Sequence, residues 1–406
     1  MRVLMVTPGT RGDVAPMAGL GSRLQSAGFD VAIAANAAHA PLITAVGCDH
    51  RELPGDMSRL VNPAAPGKRA SATDLFRYMR ELGEYMELAA VGTVAAAERG
   101  ADVILANSVA PYAYDVAEAL GIPAIGAHLQ PIEPSSDYPP VALGSARSLG
   151  PVGNKLLGSL VSAGRAPYDL PSARIRQSLG LAKKSRAGSE RLRRKTNRPV
   201  LHGFSPTVFP APLDWRSGLV VTGYWWPETD PGWRPSTELL EFLADGPPPV
   251  FIGFGSSEAM DAEFMLDTIR RAGVRAVLQG AEGITGPNAL GVGAVPHEWL
   301  FPQMAAVVHH AGAGTTAAGL RAGIPTVSVP IYTDQPFWAA RITSLGAGPQ
   351  SVPYKHLTTE RLATAIKQAT TTPAYAAKAR QVAAALATED GTAPVVSALR
   401  DAARRM

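Results

Sequence analysis

The sequence contains a single cysteine, Cys48, among 406 residues. One cysteine excludes an intramolecular disulfide and a zinc site built from cysteines, so packing alone must hold the fold together. Long apolar runs are also missing, because no continuously apolar stretch approaches the roughly 20 residues that span a bilayer. The opening MRVLMVT lacks the layout of a signal peptide. These absences predict a soluble globular protein, which we expect in the cytoplasm.

The length and the apolar content of the chain indicate how many domains it can form. Its 406 residues, 46% of them hydrophobic, can bury more than one core, which predicts two domains or three. In both halves short β-rich runs alternate with helical patterns, an order that favours parallel sheets with crossover helices. The predicted class is α/β, with two Rossmann-like doubly wound domains facing across a cleft. The predicted strands are Val3–Thr7, Val31–Ala35, Val103–Ala106, Ala124–His128, Val250–Phe254, Ala276–Gln279, Ala306–His310 and Thr326–Pro330.

Prolines mark the predicted joint between the domains. The prolines of FPAPLDW, Phe209–Trp215, disfavour a strand that would extend either sheet. This joint divides the chain into an N-terminal domain of residues 1–213 and a C-terminal domain of residues 214–406. The last helix is expected to pack back on the N-terminal domain. Ligands of doubly wound sheets bind beyond the carboxyl ends of the strands, so the chemistry should lie at strand-to-helix turns.

The net charge of +4 conceals an uneven distribution. Residues 145–197 contain twelve Lys or Arg residues against Asp169 and Glu190. One interpretation is a solvated, partly mobile loop, and another is attraction of nucleic acid or of an anionic membrane surface. No aromatic side chains interleave with KKSRAGSERLRRKTNR to stack bases. We therefore expect no nucleic-acid partner and leave peripheral membrane contact through this basic loop open.

The stretch HHAGAGTTAAGLRAGIP, His309–Pro325, is predicted to contain a strand-to-helix turn. A buried strand would end at His310, a turn would follow at Ala311–Gly314, and the helix would end at Gly323. The turn glycines would let the backbone approach a ligand, and the free N–H groups of the helix start favour an anion. Close helix–sheet packing explains the small residues equally well. The two histidines should lie on opposite faces of the strand, which disfavours a shared metal.

Two further turns of the second half carry polar side chains. PIYTDQPFW places Asp334 and Gln335 directly after a strand, where a carboxylate beside a carboxamide suits a polyhydroxylated ring. A helix cap explains Asp334 equally well. GFGSSEA places the hydroxyls of Ser256 and Ser257 after another strand, where they suit a phosphate.

The turn PGTRGDVAP follows the first strand. Gly9 and Gly12 loosen the backbone, Thr10 offers a hydroxyl, and Asp13 begins the helix. An aspartate at this position is also a natural helix cap. The pattern therefore leaves a structural and a chemical role for Asp13 open.

Taken together, these turns resemble those of a known family. Five stretches that carry the resemblance follow one another along most of the chain. They are GTRGDVAP, DWRSGLVVTGYWWPE, FIGFGSS, VGAVPHEWLFPQMAAVVHHAGAGTTAAGLRAGIP and PIYTDQPFW. They resemble the inverting, nucleotide-sugar-dependent glycosyltransferases of the two-Rossmann GT-B architecture. The sterol 3-β-glucosyltransferases and the bacterial natural-product glycosyltransferases of glycopeptide and polyketide aglycones are the relatives that they resemble most. The basic middle segment and residues 50–100 match least well.

The resemblance implies a role for each turn. His310 and the turn 312–316 would bind the donor diphosphate, Val295 would hold the base through its backbone, and Asp334 with Gln335 would bind the sugar. Asp13 occupies the position of the catalytic base. The full implied donor site is Thr10, Gly12, Ser256, Val295, His310, Gly312, Gly314, Thr315, Thr316, Asp334 and Gln335.

The implied enzyme is a hexosyltransferase that needs no cofactor and no metal, because the nucleotide sugar is a co-substrate. It would transfer glucose from UDP-glucose to a lipophilic, sterol-like or polyketide alcohol. Three departures from the family qualify this expectation. Ala311 stands where many relatives have glycine, Ala318 replaces a glutamate that contacts the ribose in plant relatives, and Asn107 stands where an aspartate supports a catalytic histidine. A dTDP-deoxysugar donor therefore stays open as an alternative.

The acceptor has only a weak signal in the sequence. The segment Leu60–Glu87 is rich in helix formers and predicts either an apolar acceptor pocket or ordinary core packing. Its large apolar and aromatic residues include Phe76, Tyr78, Met79, Tyr85 and Met86.

Other classes of protein stay open as well. An NAD-dependent oxidoreductase shares the doubly wound domains, but GTRGDV lacks the G-x-G-x-x-G register and no acidic residue ends the second strand at Ala35. A nucleotide-sugar 2-epimerase would convert the donor without an acceptor. A noncatalytic nucleotide-sugar-binding protein would bind the donor and would not depend on Asp13. The oligomeric state is open.

Overall fold

The computed structural model describes residues 1–55, 60, 72–163, 169–229, 232–254 and 261–404. Its strands form two sheets, each dominated by parallel pairs. This arrangement confirms the predicted α/β class with two doubly wound domains. All eight predicted strands are present, and their ends lie within two residues of the predicted ones.

The first sheet has seven parallel strands. They are β1 (Arg2–Val6), β2 (Asp30–Asn36), β3 (Asp49–Leu53), β4 (Val103–Ala106), β5 (Ala124–His128), β6 (Val200–His202) and β7 (Leu219–Val221). Their order in the sheet is β3-β2-β1-β4-β5-β6-β7. Because β7 ends at Val221, this sheet extends beyond residue 213, where the sequence places the domain boundary.

The second sheet has six strands. They are β8 (Val250–Gly253), β9 (Ala276–Gln279), β10 (Thr285–Gly286), β11 (Ala289–Val292), β12 (Ala306–His309) and β13 (Thr326–Ser328). Their order is β10-β11-β9-β8-β12-β13. All neighbours are parallel except β10 and β11, which form a short antiparallel edge.

Helices cover both sheets. They are α1 (Arg11–Ser26), α2 (Ala40–Ala45), α3 (Ala72–Glu98), α4 (Ala113–Leu120), α5 (Gly150–Ala163), α6 (Asp169–Ser178), α7 (Arg186–Lys195), α8 (Thr237–Ala244), α9 (Ala262–Ala272), α10 (His297–Leu300), α11 (Ala313–Ala322), α12 (Gln335–Ser344), α13 (Thr359–Thr371), α14 (Pro373–Leu386) and α15 (Ala393–Ala403). The helix α11 begins before the predicted turn is over and ends at Gly323, whose φ of 70° stops it as predicted.

Buried apolar clusters lie on both faces of each sheet. In β1, Val3 belongs to one face and Leu4 to the other, as the alternation of strand side chains requires. The last helix, α15, contributes Val395 and Leu399 to the cluster that contains Val3. The end of the chain therefore packs on the first sheet.

An aromatic cluster joins the two domains. Phe209 of the proline-rich joint packs edge-on against Phe337 of α12, with ring centroids 5.0 Å apart, and Tyr138 packs on the same ring at 5.6 Å. The guanidinium of Arg341 donates to the carbonyl oxygen of Val208 at 2.8 Å. The joint is therefore part of a packed interface.

The basic segment 145–197 is largely helical in its described part, because α5, α6 and α7 lie within it. The expectation of a solvated loop is wrong there. The buried Arg176 is held between Asp115 at 2.6 Å and Glu118 at 2.9 Å. The basic residues with a carboxylate partner are Lys155, Arg174, Arg176, Lys184, Arg193 and Arg194. Much of the positive charge is therefore neutralised within the fold.

Among the described helices, none combines the length and the apolar content that crossing a membrane requires.

Candidate active site

The order of the strands places a crevice at the same end of each sheet. In the first sheet it lies beyond β1 and β4, and in the second beyond β8 and β12, where the chain order reverses. α1 follows β1 and packs against α11, which follows β12. The predicted turns before these two helices therefore meet in one cleft.

Asp13 folds back on the turn that precedes its helix. Its Oδ2 accepts hydrogen bonds from the backbone N–H of Thr10 at 3.0 Å and from the Thr10 hydroxyl at 3.2 Å. Gly9 leaves the space for this carboxylate, since a Cβ at Gly9 would collide with it. Thr10 and Gly12 are exposed at the start of α1. No described residue donates to Oδ1, so Asp13 can serve as a helix cap with one oxygen and act on a ligand with the other.

The environment of Asp13 makes it a better base. Burial in the cleft raises the pKa of Asp13 to about 6, and the charge of Asp334 adds to the rise while the Thr10 hydrogen bonds oppose it. The carboxylate is still ionised at neutral pH and is more basic than an exposed one.

Asn107 donates to the hydroxyl of Thr7 at 3.4 Å. Asn107 therefore bonds to the end of β1 and not to Asp13.

The turn after β12 presents the start of α11. Gly312 is the N-cap residue, so the first N–H groups of the helix have no partner within it. Ala311 has a φ of 62°, in the left-handed region that favours glycine, and this conformation costs an alanine about 1–2 kcal/mol. Burial of its methyl group in the cluster around Trp338 offsets part of that cost. Alanine therefore preserves the turn and its N–H groups.

The two histidines have different surroundings. His309 is fully buried, and its Nδ1 accepts a hydrogen bond from the N–H of Ala311 at 2.9 Å, which holds the turn. His310 is half-buried beside Gly312, where a Cβ would collide with its ring. Burial lowers the pKa of His310 to about 4. A neutral imidazole therefore lies next to the helix start.

The other predicted donor residues differ in access. Val295 is half-buried just after β11, while Gly314 is exposed and Thr315 half-buried in the first turn of α11. Thr316 is fully buried, and its Oγ1 has no partner among the described residues. Its hydroxyl therefore lies inside the protein. Ser256 lies outside the described residues.

Asp334 and Gln335 lie at the start of α12. Oδ2 of Asp334 accepts from the indole N–H of Trp338 at 2.9 Å, and Oδ1 accepts from the hydroxyl of Thr333 at 3.1 Å. Burial raises the pKa of Asp334. Oε1 of the buried Gln335 accepts from the N–H of Ile331 at 2.8 Å. Oε1 of Gln335 thus stabilises the loop before α12, and its amide nitrogen can donate to a ligand.

Arg11 is a cleft residue that the sequence reasoning missed. It is the first residue of α1, is exposed, and forms no ion pair with a described residue. Its charge contributes to lowering the pKa of His297 in the second domain, although burial is the larger cause. The sequence feature that could have identified Arg11 is its position in TRGD, at a helix start and between Thr10 and Gly12, which were already assigned to the donor site.

The segment after Leu60 divides into core and cleft. Tyr78 lies within electrostatic range of Tyr332, and its pKa is raised chiefly by burial. Phe76 and Met79 are exposed. Tyr85 and Met86 belong to the core of the first domain. Core packing therefore holds for Tyr85 and Met86, and the acceptor pocket stays a prediction.

In the part of the chain that the structure describes, no three His, Cys, Asp or Glu side chains are grouped so that they could hold a metal ion.

Two family models match the chain. The glycosyltransferase family 28 N-terminal domain matches residues 3–133, and the erythromycin biosynthesis protein CIII-like C-terminal domain matches residues 258–401. The first match includes Asp13, and the second includes the turns after β12 and β13.

Known enzymes match over nearly the whole chain. It is 36% identical to the O-mycaminosyltylonolide 6-deoxyallosyltransferase of Streptomyces fradiae, across 96% of this chain and 95% of that enzyme. It is 30% identical to the sterol 3-beta-glucosyltransferase of Pichia angusta across 98% of this chain. That match covers 33% of the Pichia enzyme, so the chain spans about a third of its length.

Solved glycosyltransferases share the fold. The glycotransferase of kitacinnamycin aligns with a TM-score of 0.71 at 19% identity, covering 99% of this chain and 98% of that one. VinC in complex with dTDP aligns with a TM-score of 0.68 at 20% identity, covering 100% of both chains. With the near-complete match to the Streptomyces enzyme, these findings show that the chain belongs to the GT-B glycosyltransferases that include the macrolide glycosyltransferases and the sterol 3-β-glucosyltransferases.

Proposed function

We propose that this protein transfers a sugar from a nucleoside diphosphate to a hydroxyl group of a lipophilic acceptor, with inversion at the anomeric carbon. The supporting observation is the position of Asp13, whose Oδ1 accepts no hydrogen bond from a described residue, in a cleft that also contains the start of α11. One domain thus offers a base and the other an anion site. Sugar transfer from a diphosphate donor needs both.

In the proposed reaction, Oδ1 of Asp13 accepts the proton of the acceptor hydroxyl while the hydroxyl oxygen attacks the anomeric carbon. An alcohol is a far weaker acid than a carboxylic acid, so proton transfer must be concerted with attack. The bond from the anomeric carbon to the diphosphate oxygen breaks in the same step, and the configuration inverts. The bonds from Thr10 to Oδ2 keep the base in a fixed orientation.

The leaving diphosphate is stabilised by the N–H groups that begin α11, by the neutral imidazole of His310 and by the charge of Arg11. Asp334, oriented by Trp338, accepts hydrogen bonds from the sugar hydroxyls, and the amide nitrogen of Gln335 donates to them. We expect these groups to suffice without a metal ion.

Two donors are supported by different observations. UDP-glucose is favoured by the resemblance of TAAGLRAG and DQPFW to UDP-glucose users and by the sterol glucosyltransferases among the relatives. A thymidine diphosphate 6-deoxysugar is the second candidate, because a 6-deoxyallosyltransferase has the higher identity and matches over nearly its whole length. The proposal covers both donors, and a direct comparison decides between them.

A lipophilic alcohol such as a sterol or a polyketide is the proposed acceptor. Phe76 and Met79 are 73% and 37% exposed on α3, and Tyr78 of the same helix lies within electrostatic range of Tyr332 of the second domain. Exposed apolar side chains on this helix are the candidates for contact with an apolar ligand.

The test is to incubate the protein with UDP-glucose or a dTDP-6-deoxyhexose and a panel of sterols, macrolides and phenols, with and without EDTA. We expect mass spectrometry to show an acceptor that has gained one sugar, with the same yield in EDTA. Conversion of the donor without an acceptor would indicate an epimerase. Donor binding with no product from any acceptor would favour a noncatalytic binding protein.

A further inference from the structure

Helix α5 exposes an apolar stripe that the proposed reaction does not use. Val152, Leu156 and Leu160 are 81%, 60% and 60% exposed, and Leu149, just before the helix, is 54% exposed. Their spacing places these four side chains, the α5 stripe, on one face of the helix. Single exposed leucines are common, but a row of them indicates a surface that contacts an apolar partner.

The opposite face of α5 is fixed to the first domain. The buried Asn154 donates to the carbonyl oxygen of Ser136 at 3.1 Å and to the hydroxyl of Ser148 at 3.0 Å. Gly158 packs closely on Pro134, since a Cβ at Gly158 would lie 3.1 Å from the Cα of Pro134. These contacts prevent the helix from rotating to hide its apolar side.

The charge around the stripe favours one kind of partner. Residues 145–163 contain Arg147 and Lys155 and no Asp or Glu. Arg147 is exposed and has no carboxylate partner among the described residues, and the same holds for Lys183, Arg191 and Lys195 further along the segment. Of these cations, Arg147 lies two residues before the stripe. Apolar side chains next to an unpaired cation, in a stretch without acidic residues, are typical of helices that lie in the interface of an anionic membrane.

We propose that α5 docks this protein on an anionic phospholipid surface, with the stripe inserted between the headgroups and Arg147 at their phosphates. The α5 stripe lies shortly after Gly144, which closely approaches the backbone of Thr333 beside Asp334. Docking through α5 would therefore place the edge of the cleft near the lipid. The benefit of this position, access to acceptors dissolved in the lipid, rests on the proposed transfer to lipophilic acceptors. Binding to the lipid surface is measured without an assay of sugar transfer.

Co-sedimentation with vesicles of phosphatidylcholine and phosphatidylglycerol in equal parts tests the proposal. We expect the wild type to bind, and the variant Val152→Ser, Leu156→Ser, Leu160→Ser to lose about tenfold or more in partition coefficient. The matched control is Leu240→Ser with Leu266→Ser, two leucines of the second domain that are 47% and 42% exposed. The control should bind as the wild type does, and vesicles of phosphatidylcholine alone should bind less protein.

Docking is overturned if the wild type does not sediment with the vesicles or if the stripe variant binds equally well. It is also overturned if the wild type is a dimer that the stripe variant converts to monomers, because the stripe is then an interface between copies. Circular dichroism checks that the variant is folded, as expected for exposed positions. Transfer to a water-soluble acceptor separates the two proposals. Turnover without vesicle binding rejects docking alone, and vesicle binding without turnover on any acceptor rejects the proposed function alone.

Discussion

Asp13 of the first domain and Asp334 of the second interact across the cleft, and the charge of Asp334 adds to the burial that raises the pKa of Asp13 to about 6. The two carboxylates differ in how their oxygens are used. Both oxygens of Asp334 accept hydrogen bonds from neighbouring side chains, whereas only Oδ2 of Asp13 does. This difference supports Asp13 as the base and Asp334 as a binding group.

Replacing Asp13 with asparagine should remove the base and preserve the cap, because the amide oxygen can still accept from Thr10. We expect kcat to fall at least ~100-fold, with the affinity for a nucleoside diphosphate unchanged. The melting temperature at pH 8 should not fall, because a carboxylate with a raised pKa costs stability once pH exceeds that pKa. Turnover at the wild-type rate would reject Asp13 as the base.

The reaction should depend on the ionisation of Asp13. We expect kcat/KM to rise with pH through about 6 and to level off above it, as the carboxylate becomes ionised. In Asp334→Asn the residual activity should rise at a lower pH, because the neighbouring charge is gone. Burial remains the largest cause, so the midpoint should stay above the ordinary value of 3.8. Equal midpoints in the two pH profiles would contradict the coupling.

Trp338→Phe should loosen the carboxylate of Asp334. Phenylalanine keeps much of the apolar packing but removes the indole N–H that donates to Oδ2. Loss of one such hydrogen bond predicts a KM for the donor sugar that is about fivefold higher. Calorimetry with the nucleoside diphosphate, which lacks the sugar, should give wild-type affinity. An equal loss for both ligands would place Trp338 in the nucleotide site instead.

Arg11→Ala should weaken binding of the nucleoside diphosphate about tenfold, as expected for loss of one charged contact. The matched control is Arg23→Ala, an exposed arginine near the other end of α1, which should bind as the wild type does. The loss should shrink at high salt, because screening weakens the contact in the wild type as well. Equal affinities of the two variants would show that Arg11 does not reach the diphosphate.

Arg176→Ala should destabilise the protein without altering the site. The side chain of Arg176 is 2% exposed, and its removal leaves the buried Asp115 without its partner, which predicts a loss of about 3–5 kcal/mol in the free energy of unfolding. Arg174→Ala is the control, since this side chain is 63% exposed and its ion pair contributes less than about 1 kcal/mol. Urea denaturation measures both, and equal losses would contradict the buried role.

Most of the fold could be predicted because buried parallel strands are short apolar runs with a signal of their own. The strands that were missed explain the limit. β3 is DHREL at a sheet edge, β6 and β7 have three residues each, and β10 and β11 have two and four. The pairing of such short strands depends on their neighbours and not on a local pattern. The basic segment was misjudged for the same reason, because charge alone does not reveal that Arg176 is buried between two carboxylates.

Within the site, position along the chain was predictable and orientation was not. Thr316 belongs to the donor site that the resemblance implies, but it lies in the first turn of α11, which begins at Ala313, and its hydroxyl is buried. Gln335 was placed correctly after a strand, yet its oxygen is occupied by the backbone of its own loop. Sequence spacing does not show which atoms a side chain has left for a ligand.

The amino-acid sequence by itself determined the two doubly wound domains and the turns where their strands end. The spacing of apolar residues, the glycines and the helix caps are local patterns, each contained in a few consecutive residues. Only the tertiary structure decided that Asp13 interacts with Asp334, that Arg11 acts on His297, and that α5 leaves its apolar side uncovered. These relationships join segments far apart in the chain. They arise from how the two domains pack against each other, and no local pattern encodes that.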